Sequence, residues 1–105
     1  MVADGKIFKA GASKMTNPPL PEEKVVFRKA WEGLTGGGST LTQAQLAIGE
    51  SVVVAFERGE WSNEGSSEDR VVVQDTILNY IEIHNLLPKQ GLRMKFMGSQ
   101  IQNSQ

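Results

Sequence analysis

The residues that could carry acid–base or metal chemistry are few in this chain, and they are not grouped in a catalytic pattern. The single histidine, His84, lies within or beside a stripe of apolar residues, where packing is the commoner role. The acidic residues around the polar segment that follows are Glu57, Glu60, Glu64, Glu68 and Asp69. General acid–base catalysis needs carboxylates held in a cleft, whereas charges beside a polar loop are typical of a solvated surface. The sequence therefore predicts no catalytic residue and no enzyme.

Cysteine is absent from the sequence. Its absence excludes a thiolate nucleophile, thiolate metal ligands and a disulfide framework. The serines are concentrated in polar segments, and none lies in a sequence typical of an exposed nucleophile turn. We therefore expect no metal ion and no cofactor.

The composition is typical of a small protein from a reducing compartment. A length of 105 residues suits one domain with one hydrophobic core. No apolar run approaches the roughly 18 residues that a membrane-spanning helix requires. The N-terminal stretch MVADGKIFKAGASKM contains lysines but no continuous apolar block, which argues against a secretory signal. We expect a cytoplasmic protein that does not engage a membrane.

The charges are unevenly distributed, although the formal net charge is −1. Residues 1–14 carry three lysines against one aspartate, and residues 88–105 carry three basic residues and no acid. Residues 15–87 contain eleven acids and five bases. Because phosphate binding requires clustered lysine and arginine, a nucleic-acid interface would have to use the two ends. The simpler interpretation is that both ends are solvated tails.

Three segments have the spacing of amphipathic helices. Residues 21–34 begin with a proline and two glutamates, which favour a helix start, and then repeat apolar residues at helical intervals. Residues 41–58 follow three glycines and end before Gly59, which suits a C-cap. Residues 67–87 follow candidate N-cap serines and end before Pro88.

The run SVVVAF, residues 51–56, is open to a second interpretation. Its β-branched residues also suit a buried strand, and Gly49 weakens the helical pattern. In that alternative, residues 51–56 pair with residues 70–75 as a hairpin in an α+β fold. The helical spacing of the third segment favours an all-α fold instead, a small single-domain bundle of three to four helices.

The remaining segments are expected to flank the bundle. The stretch TNPPLPEE contains three prolines, which favour an extended backbone and an irregular N-terminal arm. The run LRMKFM alternates apolar and basic residues, so it suits a short strand, a fourth helix or an extended arm. The expected organisation is an irregular arm at 1–20, a helical domain at 21–97 and a polar tail at 98–105.

The stretch LTQAQLAIGESVVVAFERGE resembles the helix-turn-helix of Cro- and repressor-type regulators. The shared residues are Thr42, Gln43, Leu46, Ala47, Gly49, Ser51, Glu57, Arg58 and Gly59. The resemblance implies a turn that contains a glycine, followed by a recognition helix whose residues 51–54 face the bases. The stretch is about four residues shorter than this arrangement needs, and valines cannot hydrogen-bond base edges. In this alternative the chain is a small DNA-binding regulator that contacts nucleic acid through Ser51, Arg58, Arg93 and Lys95.

The stretch FRKAWEGLTGGGSTLTQAQL resembles the first hand of the calpain-type penta-EF family. The matching apolar and glycine positions are Phe27, Trp31, Leu34, Gly36, Leu41 and Leu46. The resemblance implies a helix–loop–helix. Between Leu34 and Leu46 there is no Asp or Glu, whereas calcium needs about six to eight oxygen ligands, many from carboxylates. We therefore expect the helix–loop–helix without calcium.

The favoured interpretation is a non-catalytic protein–protein interaction module with a regulatory or structural role. A tryptophan stands in the polar stretch RGEWSNEG, and methionine and phenylalanine lie near the C-terminus. Such side chains adapt well to partner surfaces. The predicted partner-binding residues are Arg58, Trp61, Met94 and Phe96. We expect a protein partner or self-association, and nucleic acid is disfavoured.

Overall fold

The computed structural model describes residues 13–15, 17–86 and 92. Within these residues lie three helices, α1 (Pro21–Thr35), α2 (Gln43–Glu57) and α3 (Ser67–Ile83). Two short strands, β1 (Ser13–Lys14) and β2 (Glu60–Trp61), complete the described elements. The predicted all-α fold is confirmed. The alternative hairpin is wrong, because residues 51–56 and 70–75 lie inside α2 and α3.

Side-chain to backbone hydrogen bonds mark the start of each helix. The Glu23 carboxylate accepts a hydrogen bond of 2.8 Å from the Leu20 amide at the start of α1. At α2, Thr42 and Gln45 exchange reciprocal side-chain to backbone hydrogen bonds of 3.0 and 3.2 Å, which form a capping box. At α3, the Ser66 hydroxyl accepts from an amide one turn later. These caps contribute about 1 kcal/mol each and set the helix starts.

Helix α3 ends earlier than expected. The pattern predicted a helix to residue 87, but α3 ends at Ile83. Asn85 has a φ of 54°, and the Leu86 amide donates to the Ile81 carbonyl at 3.0 Å. This is the geometry of a Schellman motif, which closes a helix with a left-handed residue. Asparagine tolerates that conformation, so it ends the helix before Pro88 can do so.

The glycine in the middle of α2 is there for packing and does not break the helix. Gly49 is buried, and a Cβ atom built on it would overlap the side chain of Trp31 on α1. The indole therefore lies directly on the α2 backbone. This close approach explains why α2 runs through Gly49 without a turn, although glycine costs about 1 kcal/mol of helix propensity relative to alanine.

The hydrophobic core lies between the three helices. The rings of Phe27 and Phe56 stack at 4.3 Å between centroids and join α1 to α2. The described core residues are Met15, Phe27, Ala30, Trp31, Leu41, Val52, Val53, Phe56, Trp61, Val73, Ile77, Leu78, Ile81 and Leu92. All three helices contribute to this cluster. Met15, which precedes the helices in the sequence, and Leu92, which follows them, also belong to it.

The segment after α2 returns along the bundle and pairs with the N-terminal arm. Gly59 has a φ of 72°, which turns the chain after α2. Strand β2 then pairs antiparallel with β1 in the register Ser13 to Trp61, and the Met15 amide donates to the Gly59 carbonyl at 2.7 Å. The arm expected to be irregular at 1–20 therefore contains a strand and a buried methionine. Residues 1–12 and the tail at 98–105 lie outside the described residues.

Among the described helices, none combines the length and the apolar character that crossing a membrane would require.

Candidate functional site

Trp61, the predicted aromatic anchor, is buried. Its side chain is 8% exposed and belongs to the core cluster. The sequence permits either an exposed anchor or a tryptophan folded over the core, and the structure has the second, because β2 packs against α2 and pairs with β1. The polar neighbours in RGEWSNEG are consistent with either position, since adjacent residues of an extended segment point to opposite sides.

Of the other predicted partner-binding residues, only Arg58 lies in the described part of the chain. Arg58 is exposed and follows α2 as its C-cap, where its amide donates to the Val54 and Ala55 carbonyls. Met94 and Phe96 lie outside the described residues, as do Arg93 and Lys95 of the nucleic-acid alternative. The structure therefore does not bring the predicted set together.

The segment that resembles a helix-turn-helix is one continuous helix. Residues 43–57 form α2 without the turn that the resemblance implies. Ser51 is half-buried, its hydroxyl donates to the Ile48 carbonyl at 2.9 Å, and it lies 3.0 Å from the Ser62 hydroxyl. Val52 and Val53 are 3% and 0% exposed. In this conformation residues 51–54, which the resemblance would place against DNA bases, do not form an exposed face, because the core holds Val52 and Val53.

Helix α1, the loop after it and α2 form the predicted helix–loop–helix. The loop contains Gly37 and Gly38 at φ values of 148° and 82°, a conformation that favours glycine. The Ser39 hydroxyl accepts from the Leu41 amide at 3.2 Å, which orders the approach to α2. Within the described residues, no group of three or more His, Cys, Asp or Glu side chains could hold a metal ion.

Calcium should leave the thermal stability of the protein unchanged. A cation that binds only the folded state must raise the melting temperature, and the α1–α2 loop supplies no carboxylate. The measurement is thermal unfolding by circular dichroism with millimolar calcium and with the same concentration of magnesium as the control. A rise of several degrees specific to calcium would contradict the prediction.

An ion-pair cluster joins α1 to α2 on the surface. The Arg28 guanidinium binds the Glu57 carboxylate through two hydrogen bonds of 2.8 and 2.9 Å, and a third hydrogen bond of 2.8 Å reaches Glu50. The hydrogen bonds from Arg28 lower the pKa of Glu57, and partial burial opposes this effect. Hydrogen bonds to Glu57 and Glu50 raise the pKa of Arg28. The cluster is a structural clamp, because every charged group in it is already paired.

Substituting Glu57 with glutamine should lower the free energy of unfolding by about 1 kcal/mol near neutral pH, the upper end for a partly exposed pair. Because folding lowers the pKa of Glu57, the ionised carboxylate stabilises the folded protein at pH values above its unfolded pKa of about 4.3. This stabilisation is lost as the pH falls through the lower pKa of the folded state. The difference between wild type and Glu57→Gln in urea unfolding should therefore shrink below about pH 4. Glu50→Gln is the control and should cost less, because that carboxylate side chain is 59% exposed. An unchanged difference down to pH 2.5 would exclude the linkage.

The face of α3 that points away from the core carries an uncharged row. The core face holds Val73, Ile77, Leu78 and Ile81, together with two polar residues. On the opposite face, helical spacing aligns Val72, Thr76, Asn79 and Ile83, which we call the outer row. Val72 is 37% exposed and Ile83 is 77% exposed. Leu86, just beyond the helix, is 41% exposed.

An acidic line runs beside the outer row. Glu68, Asp75 and Glu82 are spaced seven residues apart and therefore align along α3. The one basic residue of α3, Arg70, is 9% exposed and binds the Glu64 and Gly65 carbonyls through its guanidinium. The outer row and the acidic line together form an apolar surface with negative charge along one side.

A tilted pair of aromatic rings lies at the α1-facing side of this surface. The rings of Tyr80 and His84 lie 4.1 Å apart between centroids at an interplanar angle of 31°. The Tyr80 hydroxyl lies against Gly33 of α1, where a Cβ atom would overlap it. His84 is exposed beside this half-buried ring. The pair is consistent with a packing role for His84, and it extends the non-charged surface at the end of α3.

The sequence features that predicted the partner-binding residues do not indicate the surface at the end of α3. Ile83 and Val72 belong to a segment whose apolar residues fall on more than one face of the helix, so spacing alone leaves their exposure undecided. The available signal is that Ile83 lies outside the three-to-four spacing that links Val73, Ile77 and Ile81.

Comparisons of the chain with protein-family models, with curated proteins and with solved structures gave no match in any of the three.

Proposed function

We propose that this chain is a non-catalytic protein-binding module and that it binds its partner through the outer row of α3 and Leu86. The observation that carries the proposal is the exposure of Ile83, 77% at the end of a helix whose opposite face is fully packed. Single exposed aliphatic residues are common on protein surfaces, but grouped ones mark interaction sites. Here Ile83 and Leu86 are close in the chain and adjoin the Tyr80–His84 pair.

The charges beside the outer row favour a partner of particular chemistry. Glu68, Asp75 and Glu82 form a line along the apolar surface. Complementary charge speeds association and excludes partners of like charge. The matching partner surface therefore presents one or two apolar side chains flanked by lysine or arginine. The same negative charge disfavours a nucleic-acid phosphate backbone on this face.

Site-specific photocrosslinking tests the proposal. A photoreactive phenylalanine analogue is placed at Asn79 in the outer row and, as the control, at Lys29 on the exposed side of α1. In the native cells, the Asn79 position should yield one dominant crosslinked protein that the Lys29 position does not. A product of twice the mass of this chain would identify the partner as a second copy. Equal patterns of products from the two positions would reject this surface as the binding site.

The captured partner allows a matched substitution test. Ile83→Asp should weaken its binding at least tenfold, since an exposed apolar anchor is replaced by a charge on an acidic face; this corresponds to about 1.4 kcal/mol. Val25→Asp is the control, because Val25 is 56% exposed on a different helix, α1, where charged residues flank it. Binding is measured by isothermal titration calorimetry, and both variants should unfold within about 0.5 kcal/mol of wild type. Equal affinity losses in the two variants would contradict the assignment.

A further inference from the structure

We infer that residues 17–21, with the sequence NPPLP, form a second protein-binding site, which inserts into a groove lined by aromatic side chains on a partner domain. This proline segment leads into α1, and it does not depend on the function proposed for the outer row. The aromatic pair at the end of α3 contacts α1 at Gly33, which lies about 18 Å along the helix from Pro21. The two surfaces are therefore separate.

The backbone of the proline segment has the polyproline II conformation. Leu20 has a φ of −74° and a ψ of 158°, close to the ideal values of about −75° and +145°. A proline has a φ of about −65°, and a residue that precedes a proline takes an extended ψ. Pro18 meets both conditions, and Asn17 meets the second. The segment is thus already in the conformation that polyproline-binding domains recognise, so binding orders little additional backbone.

The proline segment is anchored on one side and open on the other. Pro19 is buried, whereas Pro18, Leu20 and Pro21 are exposed, Leu20 to 54%. A polyproline II helix has three residues per turn, so consecutive side chains point in three directions. With Pro19 directed into the domain, the residues on either side of it point outward. The open side therefore presents proline and leucine side chains on a backbone that the domain holds in place.

Leu20 departs from the residue preference of a helix start. It is the N-cap of α1, where serine, threonine, aspartate and asparagine are preferred because their side chains accept a hydrogen bond from the first turn. Thr42 and Ser66 fill this role at α2 and α3. The Leu20 side chain supplies no such hydrogen bond and is not packed in the core. A residue that breaks a local rule without a structural gain is expected at a functional site.

The chemistry of the segment selects the kind of partner. Flat faces of tyrosine and tryptophan pack against proline rings, and grooves built from them bind proline-rich segments in the polyproline II conformation. A partner that adds the segment to the edge of a sheet is excluded, because consecutive prolines have no N–H group to donate. Glu22, directly after the segment, is exposed, so the groove carries no acidic side chain at that end.

Titration of the isotope-labelled chain with a panel of SH3 and WW domains, whose grooves are of this kind, tests the inference. At least one domain should bind, and the NMR shift changes should centre on residues 17–23. Leu20→Ser should weaken this binding about tenfold. The same substitution should raise the melting temperature, because serine caps α1. Val25→Ser is the matched control, since Val25 is 56% exposed on α1 outside the segment, and it should leave the affinity unchanged.

The opposite changes in affinity and stability distinguish a binding residue from a folding residue. If Leu20→Ser lowers the melting temperature together with the affinity, Leu20 is structural and the inference is overturned. Equal affinities in Leu20→Ser and Val25→Ser, shift changes centred on another surface, or no binding to any domain of the panel would also overturn it. The crosslinker at Asn79 reports on the outer row alone, so a negative result there would reject the proposed function and leave this inference standing.

Discussion

Replacing Gly49 with alanine should lower the free energy of unfolding by about 2 kcal/mol, although alanine is the better helix former. The added Cβ atom would overlap the indole of Trp31. Trp31 is 5% exposed and packed against the core, so the ring cannot move aside without disturbing its neighbours. Overpacking of this kind costs about 1–3 kcal/mol, more than the roughly 1 kcal/mol of helix propensity that alanine gains.

A double-mutant cycle identifies the contact responsible. Trp31→Ala alone should cost about 3–5 kcal/mol, because it removes a large core side chain. In the Trp31→Ala background, Gly49→Ala should cost nothing or stabilise by up to about 1 kcal/mol, because the clash is gone and the gain in helix propensity remains. Chemical unfolding of the four proteins supplies the cycle. Additive effects would show that the Gly49 Cβ meets something other than Trp31.

Trp61→Ala should cost about 3–5 kcal/mol, as large an effect as a substitution in the centre of the core. The indole is 8% exposed, between the N-terminal arm and α2. An exposed partner anchor would instead cost under about 1 kcal/mol when truncated. Trp61→Phe serves as the control and should recover most of the stability, since it keeps an aromatic ring in the same place.

Fluorescence gives a second measurement for Trp61. In Trp31→Phe, the remaining emission comes from Trp61, and its maximum should lie at the short wavelengths of a buried indole and shift to longer wavelengths on unfolding. Emission typical of water in the folded protein, together with a loss below 1 kcal/mol in Trp61→Ala, would return Trp61 to the surface and restore it as a partner anchor.

Some features of this protein follow from neighbouring residues and are readable from the sequence. The three helices and their starts depend on apolar spacing and on caps such as Thr42 with Gln45, which act across three residues. The predicted ranges 21–34 and 41–58 agree with α1 and α2 within two residues at each end. The helix–loop–helix between them was equally predictable, because the glycine run of 36–38 interrupts the helical pattern.

Tertiary structure decided the features that matter for the candidate site. Gly49 remains helical because Trp31, from another helix, lies against it, and Trp61 is buried because β1 and α2 cover it. Ile83 is exposed because the core of α3 is already filled by residues one turn away. In each case the local pattern permits two outcomes. Contacts between segments distant in the sequence select one of them, and helical spacing contains no information about which distant segment supplies the contact.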